Sequence, residues 1–112
     1  MKLVDVHCHL ESEHFRDELD LVLEEARRAG IVKLITASIT PLQWELSISL
    51  SSRYREVECA LGVHPWYIRE EFFRDLPRLR NARGMGAVAI GEIGLDRKTE
   101  AVDFGLQREF FE

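Results

Sequence analysis

The chain has 112 residues, 46% hydrophobic and 31% charged, and 15 Lys and Arg against 20 Asp and Glu leave a net charge of −5. That composition describes one globular domain, and a pI near 5.4 excludes an extended basic surface able to neutralise many phosphates at once. No apolar run approaches the roughly 18 to 20 residues of a membrane span, and the N-terminus lacks the basic segment, apolar stretch and cleavage site of a secretory leader. The two cysteines, Cys8 and Cys59, sit in apolar, strand-like surroundings without the number or spacing of a disulfide framework or a Cys-based zinc site. They are expected to be reduced core thiols of a cytoplasmic protein.

In chain order, apolar runs at residues 3–9, 31–38, 57–63 and 87–93 read as strands, separated by amphipathic stretches. This alternation predicts an α/β fold of βα units on a parallel sheet. Between the first two strands Phe15, Leu19, Val22, Leu23 and Ala26 keep helical spacing, with Ser12 as the expected cap and Gly30 as the stop. The next stretch is ambiguous, because Leu42, Trp44, Leu46, Ile48 and Leu50 alternate with polar residues as a strand would. Thr40 followed by Pro41 favours a helix start, and two parallel strands need a crossover, so a helix is predicted. Residues 66–83 are expected to hold one or two short helices, with Phe72, Leu76 and Leu79 on one face and Pro77 at a break or an early turn. Residues 104–111 read as the first turns of a fourth helix.

The prediction is therefore a single domain over residues 1–112, four parallel βα units of which the last ends inside its helix. A complete (β/α)8 TIM barrel takes about 250 residues, roughly 31 per unit, so this length corresponds to about 3.6 units. The units resemble the N-terminal half of such a barrel.

Alternation along the first strand puts Asp5, His7 and His9 on one face and Val4, Val6 and Cys8 on the other. Two imidazoles at i and i+2 near a strand end can grip one metal ion, with Asp5 orienting one of them; the competing reading is a surface His-x-His with no role. Glu92, at the end of the fourth strand, is flanked by Ile90, Ile93 and Leu95, where an unpaired carboxylate is costly. A metal removes that cost, as does a salt bridge to an arginine. The first and fourth strands of a flat sheet lie about 14 Å apart, at about 4.8 Å per step, so Glu92 reaches His7 and His9 only if the sheet curls.

His64 follows the third strand at its C-terminal end, where barrels of this kind place their active sites. It fits a contact to substrate phosphate or metal-bound water, or a loop histidine capping a helix. Asp96 is read as capping the fourth helix or, preferably, as a structural residue beside the site. His14 and the Arg27/Arg28 and Arg78/Arg80/Arg83 groups read as solvated. Trp44, Phe72 and Phe73 read as core, because no basic residues interleave with them to form a stacking groove. No Gly-rich phosphate loop, Gly-x-Ser-x-Gly elbow or Cys/His nucleophile pair is present.

Taken together, residues 4–10 (VDVHCHL), 61–65 (LGVHP) and 89–96 (AIGEIGLD), followed by Gln107, Arg108, Glu109 and Phe110, resemble the TatD family of metal-dependent deoxyribonucleases among the amidohydrolase-like TIM barrels. The resemblance implies that His7 and His9 bind one divalent ion (Zn, Mn or Mg), that Glu92 bridges two ions, and that His64 lines the substrate side. It implies DNA as the substrate, cut often from the 3′ end by metal-assisted hydrolysis; the lack of a long apolar run separately leads to the expectation of no membrane partner. Two departures stand out. The family's remaining ligands, two histidines and an aspartate, are expected beyond Glu112, and Arg97, Lys98 and Thr99 occupy a stretch where aromatics are common in the family. Two other readings follow from the same residues: a non-enzymatic half-barrel that self-associates through its strand edges, and a metal-dependent hydrolase of small phosphoesters or cyclic amides.

Overall fold

A computed structural model describes residues 1–112. Four strands, β1 (Leu3–Cys8), β2 (Ile31–Ala37), β3 (Val57–Leu61) and β4 (Ala87–Ile90), form one sheet in the order β1-β2-β3-β4 with every neighbouring pair parallel. Parallel neighbours require crossovers, and helices α1 (Leu19–Arg28) and α2 (Trp44–Arg53) supply the first two. The third is built from 3₁₀ turns at Pro65–Tyr67 and Glu70–Asp75 and the single-turn helix α3 (Leu76–Leu79). Helix α4 (Phe104–Phe111) follows β4. The α/β fold of four parallel βα units is thus as expected.

Helix boundaries differ from the sequence reading in instructive ways. Ser12 caps only a 3₁₀ turn, Glu13–Phe15, and α1 begins later, at Leu19, with Glu18 making no side-chain capping bond. Phe15 therefore belongs to the preceding turn. The ambiguous second stretch, between β2 and β3, is helical: Pro41–Gln43 winds as a 3₁₀ turn that runs into α2. Thr40 contributes no side-chain cap; instead the Gln43 side chain accepts from the Ile39 amide at 2.8 Å. Pro77 occupies an early helical position, where its missing N–H costs nothing. Asp103, not Asp96, caps α4, accepting from the amides of Gly105 at 2.8 Å and Leu106 at 3.2 Å.

The helices cover one face of the sheet. Leu10, Leu23, Leu34, Leu50 and Val57 form one buried cluster beneath α1 and α2. Trp44, Cys59, Leu61, Val63, Ile68, Phe72, Ala82, Ala87 and Phe110 form a larger one between α2, the third crossover and α4. Burial pushes the Cys59 thiol above its ordinary range, and burial followed by the charges of Asp5 and Glu11 pushes the half-buried Cys8 up to about 12. Both thiols are free and protonated near neutral pH. The opposite face of the sheet is open: Val6 is 69% exposed and borders a concavity with Ile35, Ala37, Ala60 and Ala89. No helix is long and apolar enough to cross a membrane.

Candidate metal centre

The sheet's C-terminal edge brings the chemistry together. β1 delivers His7 and, just past its end, His9. Its pairing with β2 shifts register between Leu3 and Val4 and again between Asp5 and Cys8, so the strict alternation expected of the strand breaks down. Val6 and His7 both border the open concavity, while Cys8 packs toward the α1 side and its Sγ lies 3.4 Å from the Ile35 carbonyl oxygen. Asp5 does not touch an imidazole; its carboxylate accepts from the backbone amide of His7 at 3.0 Å.

Glu92 arrives from the segment after β4, held by its backbone. The Gly91 amide donates to the Leu61 carbonyl and the Glu92 amide to the Ser38 carbonyl, each at 3.0 Å. The Gly91–Glu92 peptide is cis. Ser38 is itself buried and fixed to α2 through its hydroxyl, 2.8 Å from that of Ser47. Gly62 makes the approach sterically feasible, since a Cβ there would fall 2.3 Å from the Glu92 carbonyl oxygen and 2.6 Å from the Gly91 carbonyl carbon. The indole N–H of the fully buried Trp44 donates to the Gly62 carbonyl at 3.0 Å and locks that strand end in place.

The sheet does curl enough for the two ends to meet. His7 Nε2 lies 3.3 Å and His9 Nε2 3.2 Å from the same oxygen, Oε1 of Glu92. These three donor atoms lie within 4.8 Å of one another. Two ligands bound at about 2.0 to 2.1 Å to one tetrahedral ion sit roughly 3.4 Å apart, so the spacing to Glu92 is that of a shared coordination shell.

Hydrogen bonding fixes which nitrogen of His9 is available. Its Nδ1 lies 2.8 Å from the Ala37 carbonyl oxygen, which can only accept, so Nδ1 carries the proton and Nε2 of the neutral ring presents a lone pair. That lone pair faces a carboxylate oxygen, an arrangement that repels unless a positive centre lies between them. A proton serves one imidazole at a time; one cation serves both imidazoles and the carboxylate together. Zn, Mn and similar ions accept this mix of nitrogen and oxygen donors. The residues present thus fit a divalent ion.

A carboxylate absent from the sequence reading supports His9. Glu11 is only 5% exposed, its Oε1 lies 3.4 Å from His9 Nδ1, and its other oxygen accepts from the Thr36 hydroxyl. The Thr36 hydroxyl oxygen in turn accepts from the Leu10 amide at 2.9 Å. A buried carboxylate behind a ligating imidazole holds the ring's orientation and increases its donor strength. The signal was present: Glu11 continues the i, i+2 series of His7 and His9.

His64 stands on the other side of Glu92. Its Nδ1 accepts from the Trp66 amide at 3.1 Å, capping the Pro65–Tyr67 turn, so the neutral ring carries its proton on Nε2. Nε2 lies 3.7 Å from Glu92 Oε2, too far for a hydrogen bond. The capping reading of His64 thus describes its Nδ1, and the cap sets the tautomer that turns the Nε2 N–H toward Glu92. Asp96 touches neither ligand. It accepts from the Trp66 indole at 2.7 Å and from the Lys98 amide at 2.8 Å, and these bonds hold its carboxyl below the usual range. Gln107, fully buried on α4, clamps the Asp96 backbone by accepting from its amide at 2.8 Å and donating to its carbonyl at 3.1 Å.

The arginine expected as an alternative partner of Glu92 is absent; the charged groups within ion-pair distance are His7, His9 and His64. Nor is Glu92 enclosed by apolar side chains, because Ile90, Ile93 and Leu95 are themselves exposed. His14 is solvated, as expected.

The sequence profile described as TatD-related DNase matches residues 4–112. The chain belongs to the TatD family. It is 36% identical to human deoxyribonuclease TATDN3 over 96% of this chain and 43% of the relative. It is 32% identical to a protein of Erwinia tasmaniensis named 3′-5′ ssDNA/RNA exonuclease TatD, over 84% of this chain and 37% of that one. The crystal structure of the TatD homologue YjjV from Escherichia coli K12 superimposes with a TM-score of 0.85 at 27% identity, over 97% of this chain and 43% of that chain. The TatD-family chain thus spans less than half the length of these relatives.

Proposed function

We propose that residues 1–112 form the N-terminal part, ending inside a fourth helix, of a cytoplasmic, divalent-metal-dependent hydrolase that cleaves DNA phosphodiester bonds from the 3′ end. The observation that carries this reading is the convergence of His7 Nε2 and His9 Nε2 on one Glu92 oxygen, at 3.3 and 3.2 Å. The names of the human and Erwinia relatives support DNA as the substrate and the 3′ direction.

In this reading His7, His9 and Glu92 Oε1 hold one ion, of Zn, Mn or Mg. Glu92 Oε2, which has no hydrogen-bond partner, would be free to help hold a second ion, whose other ligands would have to come from outside these residues. Such ions supply Lewis-acid polarisation of the phosphate and lower the pKa of water so that a nucleophile is available near neutral pH. Glu11 and the Ala37 carbonyl keep the His9 proton on Nδ1 and so keep Nε2 available as a ligand. His64, with its proton on Nε2, donates to a nonbridging phosphate oxygen and helps align the scissile bond. The chain's net negative charge is no obstacle, because the ions set the local potential.

The test is hydrolysis of single-stranded DNA labelled at either end by the intact polypeptide in Mn²⁺, with His9→Ala and Glu92→Gln as controls. Loss of the 3′ label first, abolished in both variants, is the expected result. No cleavage of DNA ends, or turnover of small phosphoesters alone, contradicts the nuclease reading.

A further inference from the structure

The two tryptophans occupy opposite environments. Trp44 is fully buried, whereas Trp66 is 49% exposed and is followed by the exposed Tyr67. An exposed tryptophan is usually free to change rotamer; here a hydrogen bond holds the backbone of Trp66 and a second one holds its ring. Its amide donates to His64 Nδ1 at 3.1 Å, and its indole N–H donates to Asp96 at 2.7 Å. Asp96 is in turn clamped through its backbone by the buried Gln107, so the indole is anchored to α4. The polar atom of the ring is thereby satisfied within the protein while apolar ring surface is left facing solvent. Such an arrangement costs hydration and suits a ligand with a π-face, because little rotamer freedom remains to be lost on binding.

The location narrows the ligand. The Trp66 ring centroid lies 5.3 Å from that of His64 and the Tyr67 centroid 5.7 Å, and His64 Nε2 is 3.7 Å from Glu92. The aromatic pair therefore adjoins the His7/His9/Glu92 cluster on the His64 side. Arg97, Lys98 and Thr99, which follow Asp96, offer no ring there, so the aromatic surface at this edge comes from the Pro65–Tyr67 turn. The chain carries a net charge of −5, and base stacking is a source of affinity that needs no basic groove.

We infer that Trp66 and Tyr67 form a platform on which the unpaired terminal base of a single DNA strand stacks, placing its phosphate at the metal cluster. The inference rests on the nuclease reading and adds to it the recognition of an unstacked base. A paired end keeps its base inside the duplex and cannot use the platform. Recognition is tolerant of base identity, because every base has a π-face.

The test is binding of short single strands with an uncleavable phosphorothioate 3′ linkage to the intact protein in Mn²⁺. One strand ends in a fluorescent purine analogue and a second in an abasic residue. The wild type is expected to bind the base-ended strand roughly five-fold or more tightly than the abasic one and to quench the analogue. Trp66→Ala is expected to remove both differences while leaving abasic binding unchanged, and Trp66→Phe to restore much of the preference. Equal binding of both strands by the wild type, or a preference that survives in Trp66→Ala, overturns the platform and leaves the nuclease reading standing. Failure of the wild type to bind either strand overturns the DNA reading and the platform with it.

Discussion

Glu11 brings a carboxylate into a site 5% exposed, where an uncompensated charge is costly. The Thr36 hydroxyl and the His9 Nδ1–H, which Glu11 shares with the Ala37 carbonyl, compensate it and tie the charge to the orientation of the His9 ring. Glu11→Gln keeps the shape but removes the charge; metal affinity is expected to fall about 10- to 100-fold, read by calorimetric titration with Mn²⁺, while the fold persists. An unchanged affinity would reduce Glu11 to a packing residue. Gly62→Ala acts through the backbone. The added methyl meets Glu92 carbonyl oxygen at 2.3 Å, so the Glu92 segment must move. The substitution is expected to cost about 1 to 3 kcal/mol in urea unfolding and to weaken metal binding as well. Wild-type affinity in this variant would show that the centre tolerates displacement of Glu92. The thiols give a pH prediction. Burial raises Cys59 above its ordinary value of 9.0, so above that pH the unfolded chain loses a proton that the folded chain keeps. Stability is therefore unaffected by this group below pH 9.0 and declines as the pH rises beyond it. Denaturant titrations across that range are expected to show the decline, and Cys59→Ala to make it shallower while the contribution of Cys8 remains.

At the level of elements, α4 is set by Asp103 and holds the site at second hand through Gln107. Asp103→Ala removes two capping bonds and is expected to cost about 1 kcal/mol in thermal or urea unfolding. A loss within error would mean that tertiary packing alone sets the helix start. The stretch from Trp44 to Leu50 shows what the sequence could and could not reveal. Its alternating apolar residues read equally as a strand, and the topological need for a crossover decided for helix. Once helical, it buries Trp44, Ser47 and Leu50, two of which hold Gly62 and Ser38 in place. Ser12 was misread as the start of α1 because capping chemistry is local and serves a 3₁₀ turn equally well. His7, His9, His64 and Glu92 were legible from residue type at strand ends. Glu11 left a signal only in continuing the i, i+2 series of His7 and His9 and Gly62 left none, because their roles depend on contacts with Thr36 and Glu92, 25 and 30 residues away in the chain.

For the whole molecule, the sheet is covered on one face only, and Val4, Val6 and Val88 stand exposed on or beside its open side. The β1 and β4 edges have no strand partner beyond them. Exposed apolar surface and open edges of this kind call for a covering layer, and the relatives, more than twice as long as the chain, supply further sequence beyond the matched part. In the proposed reading that layer completes both the barrel and the metal site, so the half-site of His7, His9 and Glu92 is the part that these residues contribute. Sedimentation of the isolated chain separates this from the self-associating reading: a monomer at high concentration argues against closure by a second copy. The most direct measurement is anomalous diffraction from crystals grown with Mn²⁺ or Zn²⁺. A peak bonded to His7 Nε2, His9 Nε2 and Glu92 Oε1 is predicted, and a metal found elsewhere, or no peak among these three atoms, would contradict the assignment of a metal centre.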